Sequence, residues 1–164
     1  MTVASAPRMG RKFSSEVAAA GLTAPGSPGP VVTEGDLETL PEPVRRYLGF
    51  MGVVGRQRDT SFRLHLRGRF RPGKRRWLEC EAWQYTSQPD LARIFHMRLR
   101  VGGVLPVYGR DTYVGGHGRM VIRPLDLFTV VDARGPEFDM GELVTYLNDA
   151  VLLAPSMLLA PEVA

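Results

Sequence analysis

In Phe62-Arg-Leu-His-Leu-Arg-Gly-Arg-Phe70, apolar residues alternate with basic ones. A period of two sends successive side chains to opposite sides of a strand, whereas a helix would scatter both kinds around its axis. The run therefore predicts a strand with Phe62, Leu64, Leu66 and Phe70 on one face and Arg63, His65, Arg67 and Arg69 on the other. The same period returns in Trp77–Tyr85, where Leu78, Cys80 and Ala82 oppose Trp77, Glu79, Glu81, Trp83 and Tyr85. In Arg93–Val101 it sets Phe95, Met97, Leu99 and Val101 against Ile94, His96, Arg98 and Arg100. Further runs at Leu105–Val114, Arg119–Arg123 and Leu127–Val131 follow turns at Gly102-Gly103 and Gly115-Gly-His-Gly118. Short strands separated by turns predict an antiparallel meander, not βαβ units.

Helical spacing occurs on either side of this region. Asp36–Leu40 predicts one turn, and Pro43 suits the first turn of a helix whose stripe is Val44, Tyr47, Leu48 and Met51. Near the C-terminus, Asp139 as N-cap with Glu142 three residues on predicts a helix burying Leu143, Val144, Leu147, Ala150 and Val151, ended by Pro155. The expected fold is α+β: a curved antiparallel β-meander or half-barrel packed against an N-terminal and a C-terminal helix. Residues 1–32, rich in Ala, Ser, Gly and Pro, are expected to be a disordered tail, leaving a single domain over 33–164.

Composition narrows the function classes. A hydrophobic fraction of 44% supports a real core, and a single cysteine, Cys80, excludes an internal disulfide framework. Its setting within a strand predicts a buried, unreactive thiol. No run approaches the ~20 apolar residues of a membrane span. Arg8, Arg11 and Lys12 before Val17–Leu22 imitate a signal peptide, but the apolar run is short and Glu16 precedes it. A cytoplasmic location follows as the default expectation. Charge is unevenly spread: residues 41–76 hold eleven Arg or Lys against two acids, while residues 125–164 hold one Arg against seven acids. Pairing within the fold, by cross-strand ion pairs and cation–π stacking, is the expected fate of these charges.

The chemistry-bearing motifs are sparse. Val114-Gly-Gly-His-Gly-Arg119 lacks GxxxxGK[ST] and precedes a strand, so it reads as a hairpin turn. His65, His96 and His117 show no metal-ligand spacing, so neither metal nor cofactor is expected. There is no GxSxG, and Ser61 and Ser156 have no adjacent base. No catalytic residue is assigned.

Three longer segments carry a family resemblance: Leu40-Pro-Glu-Pro-Val-Arg-Arg-Tyr-Leu48; Leu105-Pro-Val-Tyr-Gly-Arg-Asp-Thr-Tyr-Val-Gly-Gly-His-Gly-Arg-Met120; and Val130-Val-Asp-Ala-Arg-Gly-Pro-Glu-Phe-Asp-Met-Gly-Glu-Leu-Val-Thr-Tyr-Leu-Asn148. Over about residues 36–160 the chain resembles a bacterial family built on an uncharacterised domain of unknown function. The resemblance implies no activity and no catalytic residues. Relatives typically continue with further strands and some begin with a membrane-anchoring helix; neither feature is expected here, and Phe95 stands where the family tends to have Trp. The order of elements is also similar to that of the periplasmic lipoprotein-carrier half-barrels, a likeness of fold alone.

Three functional readings follow. The first is a non-enzymatic binding domain holding an apolar or lipid-like ligand against Phe62, Leu64, Leu66, Phe95, Met97 and Leu99. The second is an enzyme whose Asp111, His96 and Glu137 converge as an acid–base site. The third is anion binding, to nucleic acid or a charged surface, through Arg63, Arg67 and Arg69 in the basic segment 63–76. Glu79 and Glu81 on the same face make nucleic acid the least favoured partner. A free sheet edge and exposed Leu152, Leu158 and Leu159 predict a homo-oligomer.

Overall fold

The computed structural model describes residues 6–22 and 29–160. Six strands, β1 (Ser61–Phe70), β2 (Leu78–Ser87), β3 (Ala92–Val101), β4 (Leu105–Val114), β5 (His117–Pro124) and β6 (Val131–Arg134), pair consecutively in one antiparallel sheet. The sheet is a curved, unclosed meander in an α+β fold. The β3–β4 and β4–β5 turns each place two glycines at positive φ: Gly102 (60°) and Gly103 (77°), then Gly115 (60°) and Gly116 (82°). The two-residue β4–β5 hairpin requires that conformation for its twist to match the strands, the three-residue β3–β4 loop uses it as well, and glycine takes it without a Cβ penalty.

The registry defines two faces. Leu64, Gln84, Phe95, Asp111, Met120 and Ala133 are cross-strand neighbours and share one face with Leu66, Ala82, Met97 and Gly109. His65, Trp83, His96, Arg110, Val121 and Asp132 share the other. Each face meets a different helix.

The second face is covered by a helix, α1 (Ala6–Ala19), in the segment expected to be a tail. Met9, Phe13 and Val17 recur every four residues, and together with Leu22 they bury against Trp83, Tyr85 and Ile94. The Ala/Ser-rich composition conceals this stripe, because so few apolar side chains suffice when the sheet supplies the rest of the surface. Residues 24–28 of the Pro/Gly run, and 161–164, lie outside the described residues.

The first face is crossed at one end by α4 (Pro136–Leu153), which continues as a 3-10 turn over Pro155–Leu159. Pro155 thus ends the helix, as its lack of an N–H requires. The start differs from the capping box expected at Asp139. The N-cap is Gly135, at φ 125°, while Asp139 accepts a hydrogen bond from the Gly118 backbone N–H at 2.7 Å. The buried stripe also differs: Glu142, Tyr146 and Ala150 face inward, while Val144 and Leu147 remain 47% and 44% exposed. Apolar side chains spread around the α4 axis leave its inward face undecided by hydrophobicity. Arg93 decides it, pairing with Glu142 at 3.1 Å and Asp149 at 2.8 Å.

α2 (Gly35–Glu38) and α3 (Glu42–Phe50) do not close off the oily face as expected. Their Leu37 and Leu48 join Val32 and Val53 in a separate small core, with Leu40, Val44, Tyr47 and Leu159 packed on it. This lobe is tied to the end of α4 by Arg58, donating to the Leu159 carbonyl at 2.7 Å, and by Ser156, donating to Asp59 at 2.7 Å. Phe62 packs under α4 with Tyr146, Ala150 and Met157. The rest of the oily face is only half covered, and Leu66 is 47% exposed. Cys80 is half-buried there; burial, with Glu81 nearby, pushes its thiol up and makes it less reactive.

β6 begins at Val131, where Leu127–Val131 were expected to be the strand. Leu125 and Asp126 adopt positive φ (54° and 61°), turning the chain away and leaving Leu127, Phe128 and Val130 exposed. Of the leucines expected at the surface, Leu152 is exposed, but Leu158 and Leu159 are half-buried.

Candidate functional site

Alongside α1, a cleft of about 570 Å³ opens between that helix and strands β3, β4 and β5. Its apolar wall is Met9, Tyr108, Val121 and Leu125. Its charged wall is Lys12, Glu16, His96, Arg110, Arg119, Arg123, Asp126 and Asp132. The strand residues arrive by registry: Tyr108 faces Arg123 and Arg98, while Arg110 faces Val121 and His96. The α1 residues arrive because Lys12 and Glu16 lie one position from the buried Phe13 and Val17, on the flank of the docked stripe.

Each of the three carboxylates serves two basic side chains. Glu16 binds His96 Nε2 at 2.6 Å and also Arg110. Asp126 binds Lys12 and, at 3.3 Å, Arg123. Asp132 binds Arg119 in a two-pronged contact at 2.7 and 2.8 Å and also Arg134 at 3.4 Å. Burial pushes the Glu16 carboxyl up, but hydrogen bonds from His96 and Arg110 outweigh it and hold the group below its ordinary value. Hydrogen bonds from Arg119 and Arg134 hold Asp132 far below the usual carboxylate range. Basic groups outnumber the carboxylates in the cleft, with Lys12, His96, Arg110, Arg119 and Arg123 set against Glu16, Asp126 and Asp132. Two guanidinium nitrogens of the cleft, Arg110 Nε and Arg123 Nε, are buried without a hydrogen-bond partner among the described residues. A buried N–H of that kind calls for an acceptor.

The residues named from sequence are distributed differently. Phe62, Leu64, Leu66, Phe95, Met97 and Leu99 do share one face, but it is the face opposite the cleft. Asp111 and His96 do not converge: Asp111 is registered with Phe95 on the α4 side, and His96 points to α1. Glu137 is exposed in the first turn of α4. The acid–base site proposed for these three is therefore not assembled, because odd and even strand positions cannot meet through a sheet. Asp111 is held above its ordinary value by burial, against the opposing pull of Arg93 and His96.

The basic residues of β1 are engaged within the fold. Arg63 lies 5.6 Å from the Phe13 ring centroid and 5.5 Å from that of Tyr85, and Arg67 donates to Glu81 at 3.2 Å. His65 stacks on Trp83 with centroids 4.8 Å apart. Arg69 stands opposite Glu79. His117 lies at the β4–β5 turn, 3.7 Å from Asp139. Among the described residues, no group of three His, Cys, Asp or Glu is placed to hold a metal ion, and no helix is long and apolar enough to cross a membrane.

Lys12 and Glu16 escaped the sequence reading because their segment read as a tail. The recoverable signal was the four-residue spacing of Met9, Phe13 and Val17. No curated protein and no solved structure matches the chain. Residues 30–164 match a family of unknown function, DUF6544, and the chain belongs to that family.

Proposed function

We propose that the domain is a non-enzymatic binding module for a small amphipathic, lipid-like molecule with an acidic head, held in the cleft beside α1. The observation that carries this reading is the pair of unpartnered donors, Arg110 Nε and Arg123 Nε, in a cleft whose three carboxylates are each shared by two basic groups. An anionic head would accept from these guanidinium groups in charge-assisted hydrogen bonds. The apolar body would lie along Met9, Tyr108, Val121 and Leu125. The volume of about 570 Å³ falls in the range of small-molecule sites. The Phe62–Leu99 face is the weaker candidate, since it lies open and offers a ligand's head group no basic wall. α1, the helical wall of the cleft, precedes the segment matched by the family.

Calorimetric titration with decanoate, decyl phosphate and decanol tests the reading and separates carboxylate from phosphate heads. At least one of the two anions should bind at least tenfold more tightly than decanol, and Arg110→Met or Arg123→Met should each weaken it about tenfold. Equal binding of decanol, or heat-silent titrations of all three confirmed by an unchanged melting temperature, would reject it.

A further inference from the structure

Strand β1 is one of the two outer strands of the sheet, ten residues long, in continuous register with β2 and without proline. Such an edge offers a row of backbone N–H and C=O groups to an added strand, and proteins usually blunt it by shortening, bulging or covering it. Among the described residues none of those three devices is present. Its side chains instead select what can pair. One face carries Arg63, His65, Arg67 and Arg69; the other carries Leu64, Leu66 and Phe70, of which Leu66 and Phe70 are exposed.

The basic face is short of counter-charge. Glu81 alone accepts from His65 at 2.9 Å, Arg67 at 3.2 Å and Arg98 at 2.5 Å. Glu79 pairs with Arg100 at 3.5 Å and also faces Arg69. A second copy of this chain is a poor partner: across a two-fold axis the same faces align, so every antiparallel register sets basic residues against basic ones.

We infer that the β1 edge is a docking site for an extended peptide segment of another protein, one whose acidic and apolar residues alternate. Paired antiparallel with β1, its carboxylates meet the arginine face, its apolar side chains cover Leu66 and Phe70, and its backbone completes the ladder. Single-stranded nucleic acid would satisfy the arginines but leave the ladder and the apolar row unpaired. The inference does not depend on the cleft, which lies on strands β3 to β5.

Fluorescence anisotropy with the full chain and a labelled peptide of four Glu-Val repeats tests it. Saturable binding is expected, lost when alternate peptide amides are N-methylated, because methylation removes the ladder donors and leaves the charges in place. The double variant Arg67→Glu, Arg69→Glu should bind about tenfold more weakly and should prefer a Lys-Val repeat. Undiminished binding of the N-methylated peptide would overturn the proposal even if the variant failed to fold. So would absent binding, tighter binding of oligothymidylate, or dimerisation of the chain through β1 seen by sedimentation.

Discussion

Gly118 has no positive φ to explain it, yet no other residue fits its place. A Cβ there would run into the Phe138 carbonyl and come within 2.9 Å of the Asp139 nitrogen, both backbone atoms of α4. The close approach lets the Gly118 N–H reach Asp139. Gly118→Ala should therefore cost on the order of 3 kcal/mol, read from urea unfolding, because helix or strand must move as a whole. Asp111 makes the opposite point. Its folded pKa is raised by burial, so its ionised form is a cost at neutral pH that disappears as pH falls through the folded value toward the ordinary one of 3.8. Asp111→Asn should raise stability at pH 7 by about 1 kcal/mol, or the melting temperature by roughly 3 °C, and the gain should vanish in acid. The fit of Gly118 against Phe138 and Asp139, and the burial that raises Asp111, are both set by the tertiary fold and not by adjacent residues.

At the scale of elements, the two helices on the sheet show what periodicity can carry. α1 has a readable stripe in Met9, Phe13 and Val17 within a composition that suggests disorder. α4 has strong composition and an ambiguous stripe, settled by Arg93 reaching Glu142 and Asp149. The anchoring of α1 should depend on pH. Glu16 has a lowered folded pKa, so the stability it contributes is full above its ordinary 4.5 and is lost as pH falls through the folded value. Glu16→Gln should cost on the order of 1 kcal/mol at neutral pH, allowing for solvent screening, and little at pH 3. Amide exchange in α1 should quicken in the variant at pH 7 while the exchange of central β2 and β3 amides stays unchanged. Exchange that rises equally in sheet and helix would mean that α1 does not undock separately.

For the molecule as a whole, the consequence is an unevenly finished surface. Leu66, Phe70, Val101 and Leu105 are exposed at the end of the sheet that α4 does not cross, and Met140, Val144 and Leu147 are exposed on α4 itself. Contiguous apolar surface of this kind binds amphiphilic dyes without unfolding. The native protein should enhance the fluorescence of an anilinonaphthalene sulfonate, and Leu66→Ser with Phe70→Ser should reduce that signal by about half without lowering the far-ultraviolet dichroism. An unchanged signal would place the dye away from this end of the sheet, on α4 or in the cleft beside α1.

The sequence by itself determined five of the six strands, their two unlike faces, the glycine turns and the α+β class, because alternation and turn chemistry are local: each is a property of a few adjacent residues. It also carried the family likeness, through three long segments. Only the tertiary structure decided which helix covers which face, since amphipathicity says that a stripe is buried and not against what. It alone set Glu16 between His96 and Arg110, residues 80 and 94 positions away. It also separated Asp111 from His96, which a reading of candidate acids and bases had grouped, by the thickness of a single sheet.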